Sequence, residues 1–167
     1  MKVVSFADAV HPTHAVRPVG CWAPKDTPIA VTQTSGRQRL NIHDAISLET
    51  GHTRMLEVET VDAASTIRLM IALLTMYPRK RVIHLFLGNA RYHHAKLVQA
   101  WLARPGCRIM IHFIATHCPH LDPIERLWGL MHKHMTHNAS HEAFRDFSGA
   151  ILTFLAQGFS ESDVSGV

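Results

Sequence analysis

Hydrophobic residues recur at two different periods along the chain, and the change of period divides it. Val3 to Ala7 is a short apolar run that predicts a first strand. The segment from His11 to Pro28 is rich in proline and turn formers, an ordered loop leading to a second predicted strand at Ile29 to Gln33. Arg39 to Leu48 alternates, with Leu40, Ile42, Asp44, Ile46 and Leu48 on one side and Asn41, His43, Ala45 and Ser47 on the other. This too predicts a strand, although Asp44 interrupts its apolar face. Glu49 to His52 reads as a hairpin turn into Thr53 to Glu59, so antiparallel strands are expected to follow one another here.

At Asp62 the period becomes helical. Asp62 can cap a helix whose apolar positions Ile67, Met70, Ile71 and Leu74 continue until Pro78 stops it. Val82 to Leu87 has only His84 polar, the pattern of a strand buried on both faces. After Gly88-Asn89, His93 to Arg104 predicts a helix with Val98, Trp101 and Leu102 inward, ended by Pro105-Gly106, and Arg108 to Ile114 predicts another buried strand. Strand, helix, strand is the crossover unit of a parallel sheet. In "HLDPIERLWGLMHKHM", Asp122 is a suitable N-cap, Pro123 suits the first helical position, and Ile124, Leu127, Trp128 and Met131 form one apolar stripe. A last helix is expected from Glu142 to Gln157, burying Phe144, Phe147, Ile151 and Phe154, with Gly158 as its terminator. The expected organisation is one domain over residues 1–159 with a disordered tail over 160–167. This order of elements matches an RNase H-like α/β fold, a mixed central sheet whose first strands are antiparallel and later ones parallel, flanked by helices.

Composition narrows the picture modestly. A chain of 167 residues with 47% hydrophobic residues suits a single domain with a real core. A formal net charge of +4 and a pI near 9.3 permit a polyanionic partner without identifying one. Cys21, Cys107 and Cys118 are far apart and contain no Cys-x-x-Cys pair, which argues against a disulfide framework or a zinc ribbon and for a reducing, cytoplasmic home. No apolar run is long enough to span a membrane, and the opening residues do not form a signal peptide. Fourteen histidines suggest metal binding, yet none stands in a recognised ligand spacing, so surface or hydrogen-bonded histidines are expected and a zinc-binding module is the lesser reading. Trp22 and Trp128 read as core residues rather than base-stacking platforms.

Three positions carry the candidate chemistry. Asp8 sits at the end of the first predicted strand, Gly88 at the end of a central strand, and Glu125 in the first turn of a late helix. Two-metal phosphodiester chemistry uses carboxylates at such converging positions, because hard Mg²⁺ takes oxygen ligands on both sides of the reacting phosphate. Each position also has an ordinary explanation: Asp122 and Glu125 fit a capping box, Asp8 fits a turn cap, and Gly88 is common strand-end punctuation.

The joint pattern is more specific. "FADAVHPTHAVRPVGCWAPK", "TSGRQRLNIHDAISLETG", "HLFLGNARYHHAKLVQAWL" and "CPHLDPIERLWGLMHKHMTHN" together resemble the catalytic domain of bacterial insertion-sequence transposases of the mariner-like DDE superfamily, over about Phe6 to Asn138. The resemblance implies Asp8 as the first catalytic and metal-binding acid and Glu125 as the third. It also implies cleavage of a DNA strand followed by attack of the freed 3′-hydroxyl on target DNA. Relatives end the central strand in Asp-Asn, whereas this chain has Gly88-Asn89, so the second acid is missing. Asn89 offers only a neutral oxygen. Asp44 stands where relatives carry glycine, Asp122 where they carry asparagine, and "FIATHCPH" lacks the usual proline before the threonine. Asp44 is one conceivable source of the lost charge. With two carboxylates in place of three, Mg²⁺ or Mn²⁺ is expected to be held weakly and activity to be impaired.

The partners expected from the resemblance are DNA, a separately encoded helix-turn-helix half if the chain is not a truncated copy, and a second copy in a homodimer. Arg37, Arg39, Arg91, Lys96, Arg126 and Lys133 are candidates for phosphate contacts. The competing reading is a non-catalytic DNA-binding or partner-binding remnant.

Overall fold

Two strands that are far apart in sequence form the middle of the sheet. In the computed structural model, which describes residues 1–26, 30–33, 36–47, 49–115 and 122–156, β1 (Lys2–Val10) runs parallel to β4 (Val82–Leu87) and antiparallel to β2 (Ile42–Ser47). β3 (Leu56–Glu57) pairs antiparallel with β2, and β5 (Ile109–Phe113) pairs parallel with β4. The resulting order is β3-β2-β1-β4-β5. The helices are α1 (Ala63–Met76), α2 (Lys96–Leu102), α3 (Ile124–Met135) and α4 (Phe144–Ala156), and a 3-10 turn occupies Arg91–His94. This is the mixed sheet of the RNase H-like architecture that the element order predicts.

Alternation along β1 divides the interior into two cores. Val3 and Ala7 join Ile83, Leu85 and Leu87 of β4 against Leu69, Met70 and Leu73 of α1 and Val98 and Trp101 of α2. Phe6 and Val10 point the other way, with Ile42 and Ile46 of β2, toward Ile124, Leu127, Trp128 and Met131 of α3 and Phe147, Ile151 and Leu155 of α4. Burial of apolar area on both faces supplies most of the stabilisation, about 25 cal/mol per Å². Asp62 caps α1 as expected: its carboxylate accepts the Ser65 N–H at 2.8 Å, and the Ser65 hydroxyl accepts the Asp62 N–H at 2.8 Å. Such a cap contributes about 1 kcal/mol. At the other end of α1, the Arg108 guanidinium from the approach to β5 donates to the carbonyls of Leu74, Tyr77 and Lys80.

Several expected elements differ. Residues 30–33 form no strand, and Ile29 lies outside the described residues. The expected strand Thr53 to Glu59 is reduced to Leu56–Glu57 plus an isolated bridge at Thr53. The stripe on α1 is rotated: Leu69, Met70 and Leu73 are buried while Ile71 is 48% exposed, because the helix must meet α2 as well as the sheet.

Neither β4 nor β5, the edge strand on which Met110 and Phe113 are exposed, is buried on both faces. Val82, His84 and Phe86 are half-buried because α3 and α4 cover β1 and β2 instead. There an aromatic layer stands in for a helix: Phe6 stacks on Phe86 at 5.0 Å, Phe86 on His112 at 4.6 Å, and the rings of His84 and His112 share a hydrogen bond of 2.9 Å. The helix expected from His93 begins only at Lys96, after the 3-10 turn. α3 begins at Ile124 with Pro123 as its N-cap, so Asp122 is not the cap. α4 is Phe144–Ala156, with Phe144 and Phe154 only half-buried; Gln157, Gly158 and the expected tail lie outside the described residues. Trp22, expected in the core, is fully exposed.

If β4 is the shared wall of the domain, Leu85→Ala should lower unfolding stability by about 2–5 kcal/mol, whereas Met110→Ala, at a position 51% exposed, should change it by under about 1 kcal/mol. Chemical denaturation midpoints of the two variants measure this directly.

Candidate active site

Strand parity places the chemistry. The last paired residues of β1 and β4 are Ala7 and Leu87, so the next position on each strand, Asp8 and Gly88, lies at the same level and on the same face as Phe6 and Phe86. That face is the one α3 covers. Asp8 thus lies within β1, two residues before its end, not at the strand terminus.

Glu125 sits in the first turn of α3, and Trp128, three residues on, shares its helix face. The Trp128 indole Nε1–H donates to Asp8 Oδ2 at 3.3 Å. Burial raises the Asp8 pKa above the usual carboxylate range, against the lowering effect of the Ala9 N–H and the Trp128 bond. Glu125 is held up by desolvation and then by the charge of Asp8, although much of its side chain reaches solvent. These two expected acids therefore lie within electrostatic reach of one another.

The capping box expected for Asp122 and Glu125 is not made. Asp122 Oδ1 accepts the Ile124 N–H at 3.2 Å, and no bond from Glu125 returns to Asp122 among the described residues. Glu125 is therefore not committed to ending its helix. Asp122 is 8% exposed, and burial pushes its pKa up to about 7, with the charges of Asp8 and Glu125 adding to the shift.

Gly88 brings no acid, and sterics do not explain its presence. A Cβ built there would meet nothing within 4 Å, and its backbone φ is not in the left-handed region. The turn after it is fastened by consecutive histidines. His93 Nδ1–H donates to the Gly88 carbonyl at 2.8 Å, and His94 Nε2 pairs with Asn89 Oδ1 at 2.6 Å. Burial lowers the His93 pKa, which keeps the ring neutral, and its buried Nε2 has no partner. The Asn89 oxygen is already engaged. Tyr92, between these residues, has its pKa raised by burial and then by the charge of Asp8.

Asp44 is directly opposite Asp8 in the β1–β2 register and fully buried. Its Oδ1 accepts the Ala45 N–H at 2.6 Å, while the Arg54 N–H donates to the Ala45 carbonyl at 2.7 Å, and Oδ2 has no partner among the described residues. Burial raises its pKa to about 7. Its contacts are thus backbone amides rather than the other acids.

The basic candidates are dispersed but all exposed. Arg91 follows the Gly88 turn and Lys96 begins α2. Arg126 and Lys133 line a groove beside α3. Arg39 lines a separate concavity together with Glu57, Glu59 and Asp62, an acidic setting that opposes phosphate binding. Arg37 lies in the loop before β2. Among the described residues, no group of three His, Cys, Asp or Glu side chains converges closely enough to hold a metal ion. The histidines are mostly in hydrogen bonds and ring contacts, as with His14, whose Nε2–H donates to the His141 carbonyl at 2.8 Å. Cys118 lies outside the described residues. Sequence reasoning missed Trp128 and Tyr92 as neighbours of Asp8; the three-residue spacing from Glu125 was the available signal for Trp128.

The chain matches the DDE superfamily endonuclease family over residues 3–148. No curated protein sequence matches it. Among solved structures, the Mos1 transposase paired-end complex with left transposon end is 18% identical with a TM-score of 0.70, over 98% of this chain and 51% of that one. The Mos1 strand transfer complex is 16% identical with a TM-score of 0.69, over 98% and 50%. The HTLV-2 integrase catalytic core domain in complex with magnesium is 12% identical with a TM-score of 0.52, over 91% and 81%. Identities this low indicate a shared fold, and the chain spans about half the length of the Mos1 chains it matches.

Burial of Asp44 has a titration consequence. Between about pH 4 and about pH 7 the folded chain keeps a proton on Asp44 that the unfolded chain, at 3.8, gives up. Its contribution to folding is therefore full at low pH and is lost as pH rises through that window. Asp44→Asn, which stays neutral, should match the unmodified protein near pH 4 and exceed its stability by up to about 4 kcal/mol at pH 8. Buried His43, whose pKa burial lowers to about 4, changes stability in the opposite sense but cancels in the comparison. Urea unfolding of both proteins at several pH values reads the difference, and a difference that does not vary with pH would contradict it.

Proposed function

Because the chain belongs to the DDE superfamily endonuclease family, we propose that it is a transposase-derived domain for DNA strand cleavage and transfer whose chemistry is impaired by glycine at position 88. One observation carries the reading. Position 88 is level with Asp8 on the face that α3 covers, has open space for a side chain, and has none. A glycine required by neither backbone nor packing is best understood as the loss of a chemical group. The mariner-like insertion-sequence origin rests on the resemblance of the motifs and on the likeness in fold to Mos1 transposase.

Asp8 and Glu125 are the acids we assign to the site. Trp128 holds the Asp8 carboxylate toward α3, and His93 and His94 hold the turn at Gly88 and Asn89. Relatives of the same fold were solved with Mg or Mn, and a divalent ion is the cofactor we assign to the ancestral reaction. The residues present do not fit a tightly held ion, since no three ligating groups converge among the described residues. No catalytic step is therefore assigned to a metal in this chain. Losing one carboxylate from such a site removes transition-state stabilisation worth several kcal/mol, at about 1.4 kcal/mol per tenfold in rate.

DNA is the partner this reading requires, with Arg37, Arg91, Lys96, Arg126 and Lys133 available for backbone phosphates and Arg39 the least favourably placed. A helix-turn-helix half and a second copy are further partners in the proposal, acting in the cytoplasm. No described helix is long and apolar enough to cross a membrane. The alternative, a DNA-binding or partner-binding remnant without catalysis, is favoured by the same open position and differs only in residual turnover.

Mn²⁺ titration by calorimetry separates the possibilities. The unmodified protein should bind weakly, Gly88→Asp should gain a site at least tenfold tighter, and adding Glu125→Gln to Gly88→Asp should abolish the gain. Equally tight binding by the unmodified protein, lost on Glu125→Gln, would mean that the missing acid is compensated. No binding by any variant would refute the convergence of positions 8, 88 and 125.

A further inference from the structure

The exposed Trp22 stands beside a groove that the Asp8 and Glu125 site does not include. The groove, of about 580 Å³, runs between α3 and an N-terminal arm; its walls include Val19, Gly20 and Cys21 from the arm and Arg126, Leu130 and Lys133 from the helix. That volume is in the range of sites for small organic groups, about 300–1,000 Å³. Trp22 is the next residue after Cys21 and is completely exposed, whereas Trp101 and Trp128 are buried. A large aromatic side chain left wholly in water gains nothing for folding.

The arm carrying it is built into the structure. The Arg17 N–H donates to the Thr136 carbonyl at 2.9 Å, and the Asn138 N–H donates to the Arg17 carbonyl at 3.1 Å. The Asn138 side chain then grips both sides of Val19, accepting its N–H at 3.0 Å and donating to its carbonyl at 3.1 Å. Asn138 adopts a left-handed backbone, φ 51°, which asparagine tolerates better than most residues. Trp22 is thus three residues beyond a fastened point.

We infer that this groove binds an unpaired DNA strand, with phosphates on Arg126 and Lys133 and a base stacked on Trp22. The charge pattern selects a polyanion: among the described residues, two cations and no carboxylate line the groove. The aromatic selects an unpaired strand, because base faces are available for stacking only when the bases are not stacked in a duplex. Arg126 follows Glu125 directly in α3, so a strand lying in the groove leads to the acids. This inference rests on DNA as the partner in the proposed function, but it does not require turnover.

The test measures binding of the full chain to a short oligothymidylate and to a blunt duplex of equal length, by anisotropy and by tryptophan emission. Trp22→Ala should weaken single-strand binding on the order of tenfold, change duplex binding less than about twofold, and remove the quenching that the oligonucleotide produces. Trp22→Phe should recover most of the lost affinity. Arg126→Gln and Lys133→Gln should weaken both ligands and reduce the dependence on salt. Unchanged single-strand affinity in Trp22→Ala, or equal losses on the single strand and the duplex, would overturn the inference. If the chain binds neither DNA, the groove assignment fails, while Mn²⁺ binding by Gly88→Asp judges the catalytic reading independently.

Discussion

The parallel pairing of β1 with β4 is the constraint on which the rest of the structure depends. Because Ala7 is paired with Leu87, alternate residues of both strands enter one core under α1 and α2, and the intervening residues face α3 or the aromatic layer. A shift of one residue would reverse every one of these assignments. The same register brings Asp8 level with position 88 and turns both toward the start of α3. The hydrophobic demand that fixes the fold is therefore also what aligns the candidate site.

The same register leaves position 88 free to vary without cost to the scaffold. Position 88 lies one step past the ladder, has open space, and contributes no apolar contact. Its turn is held from outside by His93 on the Gly88 carbonyl and His94 on Asn89, through atoms that do not depend on the side chain at 88. Trp128 likewise serves two purposes, filling the core of α3 and donating to Asp8. Asp8, Asp122 and Glu125 all have pKa values raised first by burial, with the charge of Asp8 adding to the shift at Asp122 and Glu125. Among the described residues these acids do not converge closely enough to hold a metal ion, and Gly88 adds no oxygen to them.

The surface around this site is uneven. Cations stand beside α3 and after the Gly88 turn, while Arg39 is surrounded by acids. The formal charge of +4 therefore understates how polarised the surface is. The arm from Arg17 to Trp22 adds an aromatic to the basic side, fixed there by bonds to residues that follow α3.

The sequence by itself determined the order of the elements that form, the two helices of the C-terminal half, the apolar stripe on α3 and the Asp62 cap, and it drew attention to positions 8, 88 and 125. Each depends on local periodicity or spacing, which the chain carries within a few residues. Tertiary structure alone decided the remainder. Residues 30–33 form no strand, since pairing depends on partners distant in sequence, and α1 is rotated because it answers to α2 as well as to the sheet. Asp122 and Glu125 have the spacing of a capping box, but α3 starts at Ile124 and leaves Glu125 free to face Asp8. Trp22 is as apolar in sequence as Trp128, yet one is exposed and the other buried, since burial depends on what folds over a residue and not on its own hydrophobicity.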